Sequence, residues 1–151
     1  MASTLTAATM TVTVRESIEL NGYEQGSSND FTIASIAEVS KRIVNCPASE
    51  KTVISFGAAI AGGTYIEGDV RYIRLTNKDD TNFVILNIEG DASTDFSVRL
   101  DPGASFLIIS TAATGVVDYA DISGATLEDL TGIKATADTA ACDLEIFVAS
   151  V

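Results

Sequence analysis

The chain has 151 residues, 46% of them hydrophobic and 20% charged, which fits one folded domain rather than two domains or a disordered chain. Nine basic against 21 acidic residues leave a formal net charge of −12. That charge excludes a phosphate-binding face of the kind nucleic acids need, and it argues against anionic membranes.

Taken in chain order, the predicted elements are short and extended. In "TMTVTVRESIEL" (Thr9–Leu20), Met10, Val12, Val14, Ile18 and Leu20 share one parity, the period of a half-buried strand. Residues 1–10 are expected to form a flexible N-terminal arm, and 11–151 a single β-sandwich domain. "NGYEQGSSND" reads as an exposed loop. In "FTIASIAEVSKRIVNC", Phe31, Ile33 and Ser35 keep one parity and Ile36 opens the other. That slip predicts two short strands or a bulge, ended by Pro47. Thr52–Phe56 is β-branched and reads as a strand, and the glycine-rich "GAAIAGGTYIEG" as a connection.

"VRYIRLTNKDDTNFVILNIEG" (Val70–Gly90) then reads as strand, tight turn, strand. Asp95–Leu100 and Ser105–Ser110 continue it, joined by Asp101-Pro102-Gly103-Ala104, a type II turn with glycine where φ is positive. Short loops between four successive strands predict antiparallel pairing of chain neighbours. A single helical turn is expected near Leu127–Leu130. "IKATA" and "CDLEIFVAS" predict a C-terminal β-hairpin, with Cys142, Leu144, Ile146 and Val148 on one face and Asp143 and Glu145 on the other. The expected fold is all-β, an antiparallel β-sandwich of jelly-roll type, with an immunoglobulin-like sandwich as the alternative.

The chemistry available is narrow. There is no histidine, which removes Ser-His-Asp and Cys-His catalysis and the commonest metal ligand. Two distant cysteines, Cys46 and Cys142, do not make a zinc site and read as buried thiols. Lys41, Lys51, Lys78 and Lys134 stand among polar or turn residues, a poor setting for a neutral lysine base. No phosphate loop is present, and aromatic residues, the usual sugar platforms, are only 7%. No enzyme and no cofactor are expected. Asp79 and Asp80 offer oxygen ligands to calcium, but the turn lacks the alternating ligands, glycine and distal glutamate of an EF-hand loop. They read first as turn residues. Tyr23, Tyr65 and Tyr119 fall in expected loops and are the interface candidates.

The stretches "VRYIRLTNKDDTNFVILNIEG", "FSVRLDPGASFLI" and "IKATADTAACDLEIFVA" resemble small all-β structural proteins of tailed-bacteriophage virions. The likeness runs from about Thr11 to Val148 and rests on strand and turn patterns. It implies a capsid decoration, or cement, protein that stabilises the major capsid lattice. The implied partners are the major capsid protein or other virion proteins and a second or third copy of the chain, with no nucleic acid and no membrane. The implied location is the capsid surface of the virion, after synthesis in a host bacterial cytoplasm. The start "MASTLTAATMTVTV" lacks a secretion-signal pattern, which agrees with that expectation. A tail, neck or fibre-attachment component is the alternative within the virion, and a carbohydrate-binding sandwich the alternative outside it.

Overall fold

A computed structural model describes residues 4–58, 64–91, 95–111, 119–120 and 127–151, with only the backbone of 119–120 and 127–128. It is all-β, with antiparallel sheets packed face to face as a β-sandwich. The strands are β1 (Ala8–Arg15), β2 (Glu19–Leu20), β3 (Tyr23–Glu24), β4 (Ser28–Ile36), β5 (Glu38–Cys46), β6 (Lys51–Gly57), β7 (Thr64–Ile66) and β8 (Val70–Asn77). They continue as β9 (Val84–Gly90), β10 (Asp95–Leu100), β11 (Ser105–Ile109), β12 (Tyr119–Ala120), β13 (Leu127–Glu128), β14 (Leu130–Ala137) and β15 (Cys142–Ser150).

One sheet has the order β11-β8-β15-β5 and the other β10-β9-β14-β6-β7. Their facing residues alternate along each strand. Ile73 and Leu75 of β8, and Leu144, Ile146 and Val148 of β15, meet Ile54, Leu86, Ile88 and Ile133 from the opposite sheet. All are essentially excluded from water. Burying such a side chain stabilises the fold by roughly 1.5–3 kcal/mol, which makes this layer the main source of cohesion.

Three expectations change here. The Val70–Gly90 segment is not a hairpin, because β8 and β9 lie in opposite sheets. The predicted C-terminal hairpin fails in the same way: β14 and β15 also belong to different sheets. Of the four successive strands, only β9 and β10 pair as chain neighbours, while β8 pairs with β11. Alternation reports which face of a strand is buried, but a polar turn can fold a pair flat or arch it across a core. Third, Leu127–Leu130 is not helical; Leu127 and Glu128 pair with Ala120 and Tyr119, and Leu130 opens β14. The glycine-rich connection also holds an edge strand, β7, running parallel to β6.

The four-stranded sheet has a second apolar face, covered by an arm. β1 and β4 form an antiparallel ribbon over that face. Ile33 and Ile36 of the ribbon pack with Tyr72 and Ala149 of the sheet, and Met10, Val12, Phe31, Leu107 and Phe147 close the cluster. Met10, Val12 and Val14 keep their predicted inward parity. The parity slip at Ser35 is a bulge between the pairs Ala8↔Ile36 and Met10↔Ile33, with Ser35 at φ 63°. It lets Ile33 and Ile36 reach the same sheet. Strand pairing therefore begins at Ala8, inside the segment expected to be a flexible arm.

The two clusters should respond differently to truncation. Ile133→Ala should lower global stability by about 2–5 kcal/mol in urea titration. Ile33→Ala should instead release the arm, seen as lost amide-exchange protection in β1 and β4 while β6, β9 and β14 keep theirs.

Candidate interaction surface

The turn carrying Asp79 and Asp80 is built from Asn77 outwards. The Asn77 side chain is fully buried. Its Nδ2 donates to the carbonyls of Asn82 (2.8 Å) and Leu100 (3.1 Å), and its Oδ1 accepts the Asp79 N–H (3.0 Å). Asp79 Oδ1 in turn accepts the backbone N–H groups of Thr81 (2.8 Å) and Asn82 (2.6 Å). Asp80 Oδ1 accepts the Thr81 hydroxyl (2.9 Å). The backbone donors, Asn82 first, hold the Asp79 carboxyl below its usual range. Asp79 thus works as a turn acceptor. The adjoining turn is as expected: Gly103 sits at φ 73° and the Ala104 N–H donates to Asp101 O at 3.0 Å.

On the outer face of the four-stranded sheet, Glu145 is largely buried between two cations. Arg74 approaches Glu145 Oε1 at 2.6 Å and Lys41 approaches Oε2 at 3.2 Å. These partners, Lys41 foremost, lower its pKa. Arg74 also lies over the Phe147 ring at 5.9 Å, and Phe147 meets Tyr72 edge-on with centroids 5.8 Å apart. The two cysteines face each other in register across β5 and β15, both reduced and buried. Burial pushes the Cys46 thiol up to about 11 and raises that of Cys142 as well, which makes both poor nucleophiles.

The feature best shaped for contact is the end of the arm. Beyond β1 the ribbon continues as β2 and β3, joined by Asn21 (φ 54°) and Gly22 (φ 81°). Two positive φ values in a two-residue loop are the type I′ hairpin signature, so the expected loop is a strand pair. Asn-Gly was the legible signal for it. Glu24 Oε1 accepts the N–H groups of Ile18 (3.1 Å) and Gly26 (2.7 Å). A Cβ at Gly26 would stand 2.2 Å from the Glu16 carbonyl, so this junction requires glycine. Outside the body, Ile18, Leu20 and Tyr23 are 54%, 59% and 71% exposed. Ile18 and Leu20 were expected to be buried by parity, but the ribbon has run past the sheet that would cover them.

Tyr23 is at the arm tip, and Tyr65 is in β7 packed against the main core. Tyr119 stands in β12, and its side chain lies outside the described residues. Among the described residues, no group of three or more Cys, Asp or Glu side chains is placed to hold a metal ion.

Asn77→Ala should cost about 3 kcal/mol in urea unfolding, because one buried carbonyl, one part-buried carbonyl and one part-buried N–H lose their partner. The lowered carboxyls set an acid limit. They stabilise the fold above the unfolded carboxylate pKa, about 4, and that contribution is lost as pH falls through their lower folded values. Asp79→Ala and Glu145→Gln should each flatten the acid limb of urea midpoint against pH, and their difference from the parent protein should vanish in strong acid. The sequence matches no protein-family model and no curated protein.

Proposed function

We propose that the protein is a non-enzymatic structural component of a tailed-bacteriophage virion, a decoration protein that binds the major capsid lattice and braces it. The observation that carries this reading is the arm: a hydrogen-bonded ribbon, anchored on the body by Ile33 and Ile36, that holds Ile18, Leu20 and Tyr23 out in solvent. Exposed apolar side chains on a rigid projection serve contact with another protein surface. The charge of −12 favours solubility of the unassembled subunit. The absence of histidine removes Ser-His and Cys-His pairs.

Strand order supports the same reading. Among β5, β6, β8, β9, β10, β11, β14 and β15, every successive pair except β9 and β10 lies in opposite sheets, giving the orders β11-β8-β15-β5 and β10-β9-β14-β6. We read this as a jelly roll, two Greek keys wound around one core, rather than an immunoglobulin-like sandwich. Such a body resists shear between its sheets because the chain repeatedly crosses from one to the other. That is the mechanical property a brace requires, and a dimer or trimer of the chain would suit a symmetric lattice.

Purified protein mixed with undecorated capsids should co-sediment saturably and raise the temperature at which the shells open. Failure to co-sediment at micromolar concentration would remove the capsid reading. Binding to tails in place of heads would assign the protein to the tail or neck.

A further inference from the structure

The side of β1 that faces away from β4 has no strand partner among the described residues. From Ala8 to Val14 it carries no charge and no proline, the devices that keep an open edge from pairing. Beside it runs an open groove of about 580 Å³. Residues 10–15 line one wall, and Tyr72, Leu107 and Phe147 form an apolar floor with Arg74 beside them. Six consecutive residues of both parities can line a wall only if the groove follows the strand's backbone edge. Free main-chain groups above an apolar floor are what an added strand needs: ladder bonds for affinity and a surface for its alternate side chains.

The same chain carries an element of the opposite character. The arm tip presents Ile18, Leu20 and Tyr23 together with Glu16, Glu19 and Glu24. The groove is apolar and bordered by Arg15 and Arg74, two of only nine basic residues in the protein. Arg74 is already paired with Glu145, whereas Arg15 makes no salt bridge among the described residues. Tip and groove cannot meet within one molecule, because the tip follows directly from β1 and the β1–β4 ladder holds the ribbon extended.

We propose that the arm tip of one copy seats in the β1 groove of a second copy, lying along its open edge with tip carboxylates towards Arg15. The contact is heterologous, tip to groove, so it repeats from copy to copy and closes only if the rotation allows a ring. It rests on the assembly reading for its occupant, a neighbouring copy, but it requires no capsid.

Sedimentation of the full chain tests it with two surface variants. Thr13→Glu/Arg15→Glu spoils the groove and Leu20→Ser/Tyr23→Ser spoils the tip; all four positions are exposed, so circular dichroism and melting should match the parent protein. The parent protein should gain mass with concentration, and each variant should associate at least about tenfold more weakly. Mixed together, the two variants should form a one-to-one dimer that grows no further, since one retains a tip and the other a groove. A parent protein that stays monomeric at submillimolar concentration, or a mixture that forms no dimer, would overturn the proposal. If that monomer still co-sediments with shells, the capsid reading survives and the groove belongs to a strand of the shell protein. If the variants behave as expected and shells are not bound, self-docking stands and the capsid reading falls.

Discussion

One buried amide fixes where the chain crosses between the two sheets. Four connections cross between the sheets at the same end of the sandwich: after β5, β8, β10 and β14. Each crossing breaks a ladder and leaves backbone groups to be satisfied away from water. Asn77, at the end of β8, ties two of them, bonding Asn82 in the crossing from β8 to β9 and Leu100 at the crossing from β10 to β11. Its own backbone completes the junction: its N–H donates to Ala104 O at 3.0 Å and its carbonyl accepts Gly103 N–H at 3.1 Å. The other crossings tie in through Lys78 N–H to Asp143 O and Ala137 N–H to Pro47 O. A buried polar side chain at the end of an apolar core costs little when every hydrogen-bonding group is used, and it specifies where the chain turns.

A second constraint is the two-sided burial of the four-stranded sheet. β15 is buried along nearly its whole length, by the opposite sheet on one face and the arm on the other. Glu145 sits on the arm side, and its charge is tolerable there because Arg74 and Lys41 both reach it. The arm is therefore a layer that stacks on the sandwich near its base and leaves it near its tip. Its two halves obey opposite rules: the base is held by Ile33 and Ile36, and the tip shows apolar residues to solvent.

Edges are treated unequally. β5, the outer strand beside β15, carries Lys41 and Arg42, and Arg42 spans to the Val53 carbonyl of the facing sheet. β10, at the edge of the other sheet, carries Arg99, which is bonded to Asp101 at 2.8 Å and stacked 4.0 Å over Phe83. Charges on those strands discourage a further strand from adding. β1 has none until Arg15, and the edge strands β7 and β11 carry none either; β1 and β11 both border the groove, which therefore lacks that protection.

Much of the local structure was legible in the residues. The inward parity of Met10, Val12 and Val14, the slip at Ser35, and the turn at Asp101–Ala104 each follow from side-chain alternation or from the φ a residue tolerates. Those are short-range properties, and composition alone sufficed to exclude a histidine-based site. The partner of each strand was not legible. β8 and β9 read as a hairpin because an arch and a hairpin use the same polar turn residues, and only contact with the opposite sheet separates them. The same holds for β14 and β15. The tip is not legible because Ile18 and Leu20 keep the parity of Met10, Val12 and Val14, interrupted only by Glu16, past the last residue able to cover them. Periodicity records what could be buried; whether a surface exists to bury it is decided by contacts between residues far apart in the chain.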